Sequence, residues 1–158
     1  MVTNATSYGS DPPVVVVGAG LAGLWCALNL APRRVVVLAG SGRGPSSSAW
    51  AQGGLAAALD TDDSPARHAE DTIRAGAGLT DPAVARALTA AAAAEVERLA
   101  AAGVPFERDT EGRWALSREA AHRHARVARI GGDRAGAALI ETLDRRTRVA
   151  EHIELRTA

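Results

Sequence analysis

The chain is short of several things, and each shortage excludes a class of function. Of its 158 residues only one is cysteine, Cys26. No disulfide can close within the chain and no multi-cysteine metal site can form, which fits a reducing, cytoplasmic setting. Charge of either sign is not in excess: 18 Lys+Arg stand against 18 Asp+Glu, for zero net charge. That balance argues against nucleic acid or an acidic membrane surface as a partner. Aromatics make up 3%, while alanine is abundant, a compositional habit with no functional reading. No apolar run approaches the length of a membrane span. The leader, residues 1–11, is polar and lacks the positive region and apolar core of a signal peptide, so it reads as a flexible lead-in.

What remains is ample for one ordinary domain over 12–158: 47% of residues are apolar and 23% charged. After Pro12-Pro13 come Val14 to Val17, four β-branched residues suited to a strand buried on both faces of a parallel sheet. Leu21, Leu24 and Leu28 then recur at helical spacing, and Pro32 stops that helix. Val35 to Leu38 form a second buried strand. Two such strands joined by one helix make a right-handed βαβ unit. Residues 39–48 are Gly- and Ser-rich loop. Ser64-Pro65 and Asp81-Pro82 each read as a helix cap followed by proline in the first turn. The first of these helices turns Ala69, Thr72 and Ile73 inward and ends near Gly76 or Gly78. The second turns Val84, Leu88, Ala92, Val96 and Leu99 inward and stops at Gly103. Short extended pieces follow around Phe106 and Trp114. A last helix runs from Asp133 to about Arg146, and Ile153 starts a third strand. The fold class is therefore α/β, with a Rossmann-like parallel sheet followed by a mostly helical segment. A helix and then a clipped strand is not how a finished doubly wound domain closes.

The strongest local signal is Gly18-Ala19-Gly20-Leu21-Ala22-Gly23, set between strand and helix. In that context Gly18 permits the tight turn, Gly20 lets a pyrophosphate approach the backbone, and Gly23 lets helix and strand pack closely. The helix amino terminus offers free N–H groups to the anion. A ligand-free glycine turn is the plainer alternative. The Asp or Glu that often ends the second strand and binds a ribose is missing: no acidic residue lies between Asp11 and Asp60. The ribose is left to backbone groups near Gly40, to Ser41, or to water, which weakens a simple NAD reading. Arg43 could face a 2′-phosphate, but a lone loop arginine is commonly just solvated.

A second glycine-serine segment, Ser46 to Gly54, includes Ser47, Ser48, Ala49, Trp50, Ala51, Gln52, Gly53 and Gly54. Its hydroxyls and the Gln52 amide can donate and accept hydrogen bonds, and its glycines let the backbone approach a flat ring or a phosphate. From the residues alone, a flexible polar loop fits equally well. Glu119, in Leu116-Ser117-Arg118-Glu119, is by itself read more simply as a surface carboxylate after a serine cap. His122 and His124 form an H-x-H pair without further ligands, so no metal is expected, and they read as part of a polar active-site rim or of a loop surface. Cys26 reads as core, and His68 and His152 as surface.

Taken together these strings resemble the fumarate reductase/succinate dehydrogenase flavoprotein superfamily and, within it, the L-aspartate oxidases. The matching stretches are VVVVGAGLAGL, SSSAWAQGGLAAAL, DSPARHAEDTIRAGAGLTDP, AAGVPFERD and LSREAAHRHARV, in order over nearly the whole chain. The resemblance implies FAD as cofactor. Where the respiratory enzymes carry a histidine that links to FAD, this chain has Ser47, which implies noncovalent FAD. It implies oxidation of L-aspartate to iminoaspartate, with oxygen or fumarate as acceptor, in de novo NAD biosynthesis and in functional connection with a quinolinate synthase. The resemblance implies that Glu119 orients the substrate through its α-amino group, and a carboxylate facing an ammonium would separate aspartate from succinate. Two departures stand out: Gly40 replaces a frequent lysine, and Ala120-Ala121 replaces a frequent Gly-Gly. The match covers only about the first third of the family's length. The family's catalytic arginine, its carboxylate-binding histidines and its capping domain lie beyond residue 158, so no catalytic residue is expected here and the chain alone is not expected to turn over aspartate. The alternatives are a fumarate reductase or succinate dehydrogenase flavoprotein segment, and a non-catalytic FAD-binding remnant.

Overall fold

The computed structural model describes residues 11–40 and 46–157. Ser41 and Arg43, and the leader apart from Asp11, lie outside the described residues. In chain order the elements are β1 (Val14–Val17), α1 (Leu21–Leu28), β2 (Val35–Ala39), β3 (Leu55–Ala56), α2 (Pro65–Ala75), α3 (Pro82–Ala101), β4 (Leu116–Ser117), β5 (Val127–Ala128), α4 (Ala135–Val149) and β6 (Ile153–Thr157). A short 3-10 turn, Gly132–Arg134, precedes α4. The chain divides into two compact units, one of Met1–Ala49 with Leu139–Ala158 and one of Trp50–Ala138. Among the described residues no helix is long and apolar enough to cross a membrane.

The first unit is the βαβ unit read from the sequence, extended by one strand. β1 pairs parallel with β2, Val14 opposite Val35. β2 pairs parallel with β6, Val35 opposite Ile153, so β2 is the central strand. Val35, Val36, Val37 and Ala39 are buried. Ala27 of α1 packs on Val35 and Val37, joined by Val16, Leu30, Ile153 and Leu155. The helix ends at Leu28, where the Asn29 side chain donates to the Trp25 carbonyl at 2.7 Å, ahead of Pro32. Two expectations are corrected here. β1 is not buried on both faces: Val15 and Val17 are exposed, because only the face carrying Val14 and Val16 meets the α1 side of the sheet. Cys26 is not core but an exposed thiol, since Leu24 and Ala27 are the positions that α1 turns inward.

The second unit joins two helices to a small antiparallel sheet of order β3-β5-β4. Both proline-led helices start where the sequence places them. The Ser64 side chain accepts from the Arg67 N–H, and the Asp81 carboxylate from the Ala83 and Val84 N–H groups. Ala69 is buried, with Thr72 and Ile73 partly so. In α3 the inward stripe is Ala85, Thr89, Val96 and Leu99, while Val84 and Leu88 are exposed. The first two turns are therefore rotated by one residue from the expected face. An alanine-rich helix offers small residues on every side, so position 85 packs as readily as 84. Ala57, Val96 and Ala128 form the core here, with Leu55, Phe106, Trp114 and Leu116 against it. The extended pieces appear as an isolated bridge, Arg108 to Trp114, and as β4.

Candidate functional site

In the first unit the glycine turn is built as a cradle. Gly18 sits at φ +105°, a conformation that favours glycine, and its N–H donates to the Leu38 carbonyl at 2.8 Å. A Cβ at Gly23 would overlap the Gly18 carbonyl oxygen, so only glycine allows α1 to start this close to the turn. Gly20 is the α1 N-cap and supplies no side-chain bond to the helix, whose first turn holds no acidic residue. A Cβ at Gly20 would stand 3.3 Å from Ser48 Oγ, and that hydroxyl accepts from the Leu21 N–H at 3.4 Å. The structure thus brings Ser48 of the serine cluster to the helix amino terminus. Ala22 is exposed and Ala19 packs into the core beneath. A turn held open by missing side chains, at a helix amino terminus with no carboxylate in its first turn, fits a dinucleotide pyrophosphate. At Gly40 a Cβ would meet nothing within 4 Å among the described residues. Ser47 is exposed, and Ser46 closes a turn onto the Ala49 N–H.

In the second unit the Trp50–Gly54 segment leads into β3. Trp50, Ala51 and Gln52 are exposed, and the Ala51 carbonyl accepts from the Gly136 N–H at 2.9 Å. Gly54 is required by the sheet, since a Cβ there would overlap the Ala128 carbonyl of β5. Gly53 faces a side chain instead of the sheet. It sits at φ +62°, and a Cβ on it would come 3.1 Å from Glu119 Oε1. Two residues singled out separately in the sequence are therefore neighbours, with the Glu119 side chain itself exposed. Glu119 lines an open cavity of about 500 Å³ with Arg74, Arg118, Ala121, His122 and Arg123. Arg74 and Arg123 are bonded to Asp71 and Glu70, so the lining is of mixed charge, and the Glu119 carboxylate in it suits a small ligand that carries an ammonium. A larger cavity, about 690 Å³, is lined by Asp60, Asp109, Arg113 and Trp114 and contains none of the predicted site residues.

Behind Glu119 lies a charge network that sequence reasoning missed. Asp71 and Arg126 are buried, and Arg126 reaches Asp71 at 3.0 Å and Asp63 at 2.7 Å. Burial opposes the charge on Asp71. Hydrogen bonds from the Arg123 backbone and guanidinium, with the nearby charges of Arg123 and Arg126, outweigh it and hold the carboxyl at about 2. His68 is buried, not a surface residue, because the His122 ring stands edge-on to it at 5.5 Å beside Arg126. Burial lowers the His68 pKa, with Arg126 and His122 adding to the effect and Asp63 and Asp71 opposing it. His152 is half-buried, its Nε2 3.1 Å from the Ala27 carbonyl oxygen. The signals for the network were the EDT and HRHAR strings, whose charges lie more than fifty residues apart and are joined only by the fold. Among the described residues no group of three or more His, Cys, Asp or Glu could hold a metal ion.

Known proteins resemble the chain in both sequence and fold. A family model described as "FAD binding domain" matches residues 13–158. The L-aspartate oxidase of Caulobacter vibrioides is 51% identical over 146 residues, covering 90% of this chain and 29% of that protein. The L-aspartate oxidase of Mesorhizobium japonicum is 47% identical, covering 91% and 29%. Among solved structures, the Mycobacterium smegmatis Sdh1 complex in the apo form superposes with a TM-score of 0.81 at 30% identity, over 92% of this chain and 27% of that one. The chain thus spans less than a third of the length of the curated relatives it matches.

Proposed function

The chain belongs to the FAD-binding domain family, and on that premise we propose that it is the amino-terminal, FAD-holding portion of an L-aspartate oxidase. The observation that supports the substrate class is the nearness of the Glu119 carboxylate to Gly53. It sets a carboxylate beside the turn that follows the serine cluster, inside a cavity of mixed charge. In this reading Gly18, Gly20, Gly23 and the α1 N–H groups bind the pyrophosphate, with Ala19, Leu21 and Ala22 shaping the turn. Gly40, Ser41 and the Ser47–Gly54 segment complete the chain's share of the cofactor site. Ser47 leaves FAD without a covalent bond. When bound, FAD supplies the two-electron acceptor for the amine oxidation. Glu119 accepts hydrogen bonds from the substrate ammonium, which orients the Cα–H bond and rejects dicarboxylates that lack an amine. L-Aspartate then leaves as iminoaspartate, and oxygen or fumarate takes up the electrons. The product supports quinolinate and NAD synthesis through a quinolinate synthase, and the free thiol of Cys26 accords with a cytoplasmic setting.

The test joins this chain to the remaining portion of the Caulobacter vibrioides relative. The chimera is expected to consume L-aspartate with formation of hydrogen peroxide in air, and the 158-residue chain alone to give none above a flavin-only blank. Glu119→Gln removes a charge-assisted hydrogen bond worth about 1.5–3 kcal/mol, so KM for L-aspartate rises roughly tenfold or more. A chimera that prefers succinate, or a KM unmoved by Glu119→Gln, contradicts the reading and favours a fumarate reductase or succinate dehydrogenase flavoprotein.

A further inference from the structure

The stretch that carries Glu119, between β4 and β5, has no helix or strand to fix its path. It is tied down by a carboxylate on α2. Asp71 Oδ1 accepts from Arg123 Nε at 2.6 Å and from the Arg74 guanidinium at 2.9 Å. Its Oδ2 accepts from the Arg123 backbone N–H at 2.9 Å and from the Arg126 guanidinium at 3.0 Å. Arg123 also reaches Glu70 at 2.7 Å, and Arg126, fully buried, extends to both oxygens of Asp63. Such a dense set of charge-assisted bonds in a buried place is costly to disturb.

A second observation shows that the stretch is held under constraint. Ala121, between Glu119 and Arg123, sits at φ +72°. An L side chain in this conformation is strained, and it persists only where the surroundings over-determine it. The surroundings do so from both sides. Upstream, the exposed Glu119 side chain lies beside the Gly53 turn. Downstream, Arg123 is bonded to Asp71 through both its backbone and its side chain.

We propose that Asp71, acting through Arg123 and Arg126, is a positioning residue that holds the Glu119 carboxylate against the Gly53 turn. The functional meaning of this clamp rests on Glu119 meeting the substrate, but the clamp itself is a property of the chain and can be read without turnover. In the 158-residue chain, the Gly53 amide resonance is followed by NMR as the Glu119 carboxylate is titrated. The wild-type amide is expected to shift with that titration, and Glu119→Gln to abolish the shift. Arg123 is largely exposed and Asp71 keeps Arg74 and Arg126 as partners, so Arg123→Ala is expected to move the melting temperature by only a few degrees. It should nonetheless weaken the Gly53 response, since only the backbone bond from residue 123 to Asp71 is kept, and Arg123→Lys should restore it in part. Asp71→Asn, which strikes the hub itself, should weaken the response as well. If Asp71→Asn does not fold, Arg123→Ala decides alone. A full Gly53 response in Arg123→Ala overturns the proposal, as does a response that survives Glu119→Gln. A weakened response in Arg123→Ala, combined with a chimera whose KM ignores Glu119→Gln, would retain the clamp and discard the substrate role.

Discussion

Two glycines of one fingerprint do different jobs. A side chain at Gly23 would run into the Gly18 carbonyl, whereas one at Gly20 would meet only the Ser48 hydroxyl. Gly23→Ala is therefore a folding lesion, expected to cost about 1–3 kcal/mol and to show as a lower denaturant midpoint. The opposite sign is expected at Ala121, whose positive φ suits glycine. Ala121→Gly relieves a strain of roughly 1–2 kcal/mol and gives back about half of it through the freer unfolded chain. A small net rise in melting temperature is expected, and a fall would mean that the alanine is not strained. At this scale the sequence is most readable where chemistry is local. The turn glycines and the Ser64 and Asp81 caps are recognisable from their neighbours. Burial of His68 was not, because it depends on Arg126 and His122, which are distant in sequence.

Among the elements, α2 and α3 owe their starts to capping side chains that replace missing backbone partners. Ser64→Ala is expected to cost about 1 kcal/mol, measured by chemical denaturation, with FAD binding by the glycine cradle unchanged. β1, α1, β2 and both proline-led helices were legible because apolar period and punctuation coincide there. The face of α3 was not, since an alanine-rich helix gives no contrast between neighbouring positions. The two-residue strands β3, β4 and β5 were also hidden. No periodicity fits in two residues, and their pairing is set by contacts such as Gly54 against Ala128. Glu119 was singled out only through family resemblance, and its nearness to Gly53 depends on this small sheet and on the Asp71 clamp, neither of which is visible in sequence.

For the molecule as a whole, the buried charges set a pH dependence. Asp71 is held at about 2 against an ordinary 3.8. A depressed carboxyl stabilises the fold fully above its unfolded value, and this contribution, about 2 kcal/mol, is lost as pH falls from about 4 toward 2. His68 adds a loss at higher pH. Its folded value lies below the ordinary 6.5, so below that pH the unfolded chain takes up the proton first and stability falls. Denaturation midpoints should therefore drop first below about pH 6.5 and again below about pH 4. Asp71→Asn should remove the lower step and His68→Gln the upper one. A profile flat from pH 7 to 3 would contradict the network.

The central claim is that this chain holds FAD through the cradle at Gly18, Gly20 and Gly23. It is tested most directly by titrating the purified chain with FAD and following flavin fluorescence, beside a Gly20→Val variant of unchanged melting temperature. Saturable one-to-one binding that the variant loses, with all the flavin released on denaturation, is the expected result. Absence of saturable binding, or equal binding by Gly20→Val, would contradict the claim.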